Sequence, residues 1–164
     1  MSAVLESLQP WVGRTVCFTA PEPIGAASFR YFALSIGDTN ALYSSRVAAA
    51  EVGLRDVIAP PTLVCESNQY MTSVADHEGY AGHQWDLPVP EGARQIRGGN
   101  AYDLFQPVHP DDVITATWRI TEISEKPARG GGTMVFIISE VAYTNQRGEA
   151  LATNTDTMIW QVPA

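Results

Sequence analysis

Basic residues are scarce in this 164-residue chain: ten Lys and Arg stand against 18 Asp and Glu, for a net charge of −8. Affinity for nucleic acid comes from neutralising phosphates, so that balance argues against a nucleic-acid partner, and equally against an anionic membrane surface. Cysteine is nearly absent. Cys17 and Cys65 lie 48 positions apart, in neither a CxxC nor a metal-like spacing, which favours a reduced cytoplasmic protein and offers no metal site. No run approaches 18 apolar residues, so no transmembrane helix is expected. The start, MSAVLESLQPWVG, lacks a basic stretch followed by an apolar run and does not read as a signal peptide. There is no repeat, low-complexity tract or linker. With 45% hydrophobic and 17% charged residues, the composition suits one domain over residues 1–164 with a full core.

Residues 3–9 read as a short amphipathic helix before Pro10, and Arg14 to Thr19 as a strand in which Val16 and Phe18 alternate with Thr15 and Cys17. Residues 26–36 read as a helix with Phe29, Phe32 and Ala33 on one face, closed by a Gly-Asp-Thr-Asn turn. Ser44 or Ser45 is placed to cap a second helix running through Ala50 and ending near Gly53. Pro60 and Pro61 suit the first turn of a third helix, about residues 61–75, with an apolar stripe of Leu63, Val64, Tyr70, Met71 and Val74. Residues 76–93 read as an irregular loop. Four strands follow, at about 95–106, 112–126, 133–144 and 149–161, with Asn145-Gln146-Arg147-Gly148 as a hairpin connector. One early strand, helices, then a meander of long strands is an α+β order. It matches a single hot-dog fold, a curved antiparallel sheet wrapping a central helix at 61–75.

The stretch YFALSIGDTNALYSSRVAAAEVGLRDVIAPPT, Tyr31 to Thr62, sets Asp38 in a turn between two helical runs and ends at a proline-marked helix start. RGGNAYDLFQPVHPDD, TEISEK, MVFIISEVAYTNQRGE and LATNTDTMIW follow in order. Together these segments resemble the MaoC-like hydratases and dehydratases, and among them the N-terminal-type or FAS1-like dehydratase domain, over about Trp11 to Trp160. The resemblance implies enoyl or 3-hydroxyacyl thioesters as substrates, carried on coenzyme A or an acyl carrier protein, with no further cofactor. It places the chain in fatty acid metabolism.

In active members of that family an Asp and a His five residues later hold the reacting water. Here Asp38 stands in place, but five residues on is Tyr43. A phenol titrates near 10 and an imidazole near 6.5, so Tyr43 donates a hydrogen bond at neutral pH and rarely accepts a proton. Active members also carry His-Gly near where this chain has Ala59-Pro60-Pro61, and prolines lack the N–H groups an enolate oxygen needs. The resemblance therefore implies a half that shapes the acyl pocket while a second MaoC-like subunit supplies the catalysis, in a heterodimer or heterotetramer. The alternatives are a self-sufficient homodimeric hydratase using Asp38 with Asn40, Tyr43 or His83, a hot-dog thioesterase using Glu66, or a non-catalytic acyl-CoA-binding module.

Candidate catalytic residues are thus Asp38, Asn40 and Tyr43. Candidate substrate contacts are Ala59, Pro60, Thr62 and Cys65, together with Gly98, Gly99 and Asn100, whose two glycines permit a bulge or a close backbone approach. Arg94, Arg97 and Arg129 are candidates for coenzyme A phosphates. Cys65 also reads as a buried small hydrophobe on the third helix. Of the three histidines, His109 reads as a surface turn residue, and His77 and His83 fall in the polar loop.

Overall fold

The inner face of the sheet explains where the strands begin and end. A computed structural model of the protein describes residues 2–64, 74–75, 79 and 82–164. Its elements are α1 (Ala3–Leu8), β1 (Thr15–Thr19), α2 (Gly25–Ile36), α3 (Arg46–Glu51), β2 (Arg94–Leu104), β3 (Thr115–Pro127), β4 (Thr133–Thr144) and β5 (Ala150–Val162), with single 3-10 turns at Gln9–Trp11 and Ala41–Tyr43. The five strands form one antiparallel sheet in the order β1-β3-β4-β5-β2. This is the hot-dog arrangement. Of the expected central helix, residues 61–64 form a 3-10 turn and residues 65–73 lie outside the described residues.

In β4, Val135, Ile137, Ser139, Val141 and Tyr143 are all buried while the residues between them are not, the period of two that one buried face requires. In β3 the buried set is Ala116, Trp118 and Ile120, then Ile123. The change of parity is a bulge: the β3–β4 register shifts between Ile120 and Glu122. One inserted residue would otherwise turn every later side chain outward, so the bulge keeps Ile123 in the core. A second bulge interrupts β2 between Arg97 and Gly99. A Cβ on Gly98 would lie 2.6 Å from Thr157 Cγ2 and 2.9 Å from the Thr157 carbonyl oxygen, so β5 passes too close for any side chain there.

The β4–β5 connector forms as its sequence predicts. Gly148, at φ 76°, donates its N–H to the Asn145 carbonyl, and Asn145 in turn bonds Glu149 through the backbone. The helix at Arg46–Glu51 is capped by Ser45, whose hydroxyl accepts from the Ala48 N–H.

His109 departs from expectation: it is buried, not a surface turn residue. Its N–H donates to Asp112 Oδ2 at 2.8 Å, and its Nδ1 lies 3.2 Å from the Val57 carbonyl oxygen, which can only accept, so Nδ1 carries the proton. Asp112 is 1% exposed. Its Oδ1 takes Arg147 Nη2 at 2.5 Å and Asn145 Nδ2 at 3.3 Å, with Arg55 Nη2 at 3.6 Å. One buried carboxylate thus ties the 107–112 turn to the β4–β5 hairpin and, through His109, to residue 57. Removing a charged acceptor that serves buried donors costs about 3 kcal/mol. Asp112→Ala is therefore expected to lower the urea midpoint by that equivalent at unchanged m-value. Arg55→Ala, whose side chain is half exposed, is expected to cost less than about 1 kcal/mol in the same measurement.

Candidate functional site

The turn after α2 organises the first candidate residues. Gly37, at φ 72°, ends the helix by donating its N–H to the Ala33 and Leu34 carbonyls. Asp38 follows, half-buried, and its Oδ1 accepts the Asn40 N–H at 3.0 Å. Asn40 Oδ1 accepts the Leu42 N–H at 3.0 Å and caps the Ala41–Tyr43 turn. Two local side-chain caps in succession fold this segment. They bring Asp38, Asn40 and Tyr43 together: the Tyr43 hydroxyl interacts with both the Asp38 and Asn40 side chains.

Tyr43 is 6% exposed. Burial first, and then the Asp38 carboxylate, push its phenol further above the ordinary tyrosine value. At neutral pH the pair is a carboxylate facing a protonated phenol, which has one proton to hold in place and no base of imidazole strength. Asp38 meanwhile spends one carboxylate oxygen on its own turn.

A cavity of about 230 Å³ lies between residues 58–61 and residues 104–108, and none of Asp38, Asn40 and Tyr43 lines it. The Ile58 N–H donates to the Leu42 carbonyl at 3.0 Å, and Ala59 N–H donates to the Val108 carbonyl at 2.8 Å. These bonds set residues 58–61 against the end of β2. Ala59 and Pro60 line the cavity, as do Leu104, Phe105, Val108 and Leu151. Thr62 is exposed and does not line it, and Cys65, like Glu66 and His77, lies outside the described residues. The sequence reasoning missed Leu104, Phe105 and Leu151. Leu104 and Phe105 carried a signal, two apolar residues at a strand end, and are 51% and 55% exposed, whereas Leu151 on β5 is buried and carried none.

The remaining candidates do not line this cavity either. Gly98, Gly99 and Asn100 sit mid-strand on β2, Arg94 and Arg97 lie on the same strand, and Arg129 is at the β3–β4 hairpin tip. Arg55 and Arg147 border an adjoining recess with His109 and Glu149. Asp111, Asp112 and Glu149 already hold them.

His83 is buried among Phe18, Trp85 and Trp118, with ring centroids 5.4, 4.5 and 4.8 Å away. Loss of water pushes its imidazole down from 6.5 to about 4. It stays neutral at physiological pH, and its aromatic contacts are those of a packed core group.

Residues 10–154 match the family model of the FAS1-like, dehydratase domain region. The chain is 32% identical over 145 residues to UPF0336 protein SCO4636 of Streptomyces coelicolor, covering 88% of this chain and 89% of that one. It is 27% identical over 153 residues to a probable enoyl-CoA hydratase alpha subunit of Thermomonospora curvata, covering 89% of this chain and 48% of that protein, so it spans about half of that relative. Among solved structures, a chain of the C-terminally truncated HadBC (3R-hydroxyacyl-ACP dehydratase) complex of Mycobacterium tuberculosis superposes with a TM-score of 0.64 at 20% identity, over 89% of this chain and 96% of that one.

A buried imidazole with a lowered titration point opposes its own protonation. Its contribution to stability is complete above 6.5 and is lost as pH falls through about 4. The protein is expected to lose about 3 kcal/mol of stability across that window, at 1.36 kcal/mol per pH decade. His83→Phe, compared with wild type by urea denaturation at pH 7 and pH 4, is expected to remove most of that loss.

Proposed function

The chain belongs to the FAS1-like dehydratase domain family, and we propose that it serves as one subunit of an enoyl-thioester hydratase or 3-hydroxyacyl-thioester dehydratase, shaping the acyl pocket beside a catalytic MaoC-like partner. The observation that carries this reading is the Asp38–Tyr43 pair. Adding water across an enoyl thioester needs one group to take the water's proton and another to deliver a proton to the α-carbon. A carboxylate committed to its own turn, facing a phenol held protonated, supplies neither an efficient base nor an exchangeable pair.

The helix start supports the same division of labour. Pro60 and Pro61 bring no N–H donors to a thioester oxygen. With Ala59 they offer an apolar wall, continued by Leu104, Phe105 and Leu151, which suits an acyl chain. The second support is an edge. β2 runs Arg94–Leu104 at the rim of the sheet, eleven residues with one ladder side unpaired among the described residues. A long open edge is a liability unless another chain covers it. The relative named as an alpha subunit and the neighbour solved as a complex fit the same picture.

In this assembly the partner's acid–base pair works on the thioester, and this chain positions the acyl group. The test is hydration of crotonyl-CoA and of longer enoyl-CoA esters. The purified chain is expected to show no turnover, and co-expression with a MaoC-like subunit carrying an intact Asp/His pair is expected to restore it. In the restored complex, Asp38→Asn is expected to change kcat less than about tenfold, since general acid–base groups contribute 10²–10⁴. Turnover by the chain alone, abolished by Asp38→Asn, would overturn the proposal in favour of a self-sufficient enzyme.

A further inference from the structure

The two faces of the sheet exchange character toward β2. On the inner face the apolar set of β3 and β4 gives way to a polar strip: Asn154 and Asp156 on β5, then Gln95, Arg97 and Asn100 on β2. The outer face does the reverse. Its β4 residues begin with Met134, Phe136 and Ile138. Phe136 stands opposite Ile159 on β5, which stands opposite Ile96 on β2. Directly opposed residues share a face, so these side chains form one patch. All are half-buried, and among the described residues none of them belongs to the core or packs against it.

The sequence carries the same signal. Met134 to Ile138, MVFII, is an unbroken apolar run at the start of β4. An antiparallel strand with one solvated face alternates, whereas a continuous run marks a strand covered on both sides. The patch is also level. A Cβ on Gly98 would strike Thr157 and Ile159, and Gly99 takes the outer position opposite Thr157, so no side chain rises from the outer face of β2 between Ile96 and Ala101. A level apolar face is what a second sheet packs on, about 10 Å away. Charge indicates which sheet. Lys126 and Arg94 form the outer row beyond the patch at the β3–β4 hairpin end, while Glu122, Glu140 and Asp103 lie toward the other end with Arg119, and all of these are exposed. A face cationic at one end and net acidic at the other is complementary to itself when turned end for end.

We propose that the outer face is a self-association surface, on which a second copy of this chain stacks its own outer face about a two-fold axis running across the strands. The axis passes between the Phe136 and Ile138 rows. Phe136 and Ile159 of each copy then lie over Ile138 and Thr157 of the other, and the row of Lys126 lies over the row of Glu140. An axis along the strands would instead set Lys126 and Arg94 over the same cations of the second copy, which like charge opposes. The contact uses neither the unpaired ladder side of β2 nor the residues that line the cavity. It therefore holds whether or not the acyl-thioester reading does, and with a catalytic subunit on the β2 edge it joins two such pairs back to back.

Sedimentation of the purified full chain tests the proposal. Wild type is expected to self-associate. Phe136→Asp, at a half-buried position outside the core and checked for folding by circular dichroism, is expected to halve the mass of the associated species. Lys126→Glu and Glu140→Lys, both at exposed positions, are each expected to weaken association about tenfold, and together to restore it to within about threefold of wild type. A wild type that stays monomeric overturns the proposal. So does an assembly whose mass Phe136→Asp leaves unchanged, which marks pairing through the β2 edge instead. So does a double charge exchange that associates no better than either single one. The charge test stands on surface positions, and so decides the matter even where Phe136→Asp fails to fold.

Discussion

A single buried carboxylate holds the walls of the candidate cavity in place. Asp112 takes a backbone N–H from His109, the guanidinium of Arg147 and the amide of Asn145. His109 passes the constraint on to the Val57 carbonyl, and two residues further Ala59 bonds Val108. The segment that carries Ala59 and Pro60 is therefore fixed against the end of β2 by a polar anchor behind it. The apolar front wall brings no directional bonds of its own, so without the anchor it would have only packing to set its position. The anchor is also why the recess beside the cavity, though it contains two arginines, is a poor phosphate site: three carboxylates already occupy the cations.

The chemistry of the site follows from one residue. With an imidazole at position 43, the turn would hold a group able to give and take a proton near neutral pH. With Tyr43 it holds a donor only, and burial beside Asp38 drives the phenol further from titration. The rest of the turn stays well formed: Gly37 closes the helix, Asn40 caps the next turn and Ser45 caps α3. A segment that holds a tyrosine here yet keeps its geometry is suited to the shaping role proposed above.

Much of the fold was legible in the sequence because its signals are local. Alternation in β4 and β5, the late glycine of the 145–148 connector and the serine before α3 each act through neighbours in the chain, and the elements formed within a residue or two of expectation. The Asp38–Asn40–Tyr43 grouping was legible for the same reason, since five residues and two caps build it. What escaped depends on distance along the chain. His109 read as a surface residue because its partner, the Val57 carbonyl, is 52 positions away. The bulge at Ile120–Glu122 leaves no composition signal, since it shows only as a change of parity when the partner strand is known. Leu104 and Leu151 meet at the cavity only through the β2–β5 register. The arginines were chosen on charge alone, and charge does not say which face of a strand or which end of a hairpin it occupies.

The open edge and the polar strip raise one question together: why an inner face should turn polar toward its rim. If β2 were a terminal edge in the working protein, apolar residues there would be exposed, and a polar inner rim would simply meet solvent. But Leu104 and Phe105 are exposed at the same rim, beside the apolar cavity, so the edge is not polar throughout. The polar stretch runs from Gln95 and Arg97 through Asn100, while the end of the strand is apolar at Leu104. A solvent-facing edge has no reason to be divided in this way. In the proposed assembly a rim completed by a second chain has one, because the exposed Leu104 and Phe105 at the strand end would bury against the partner.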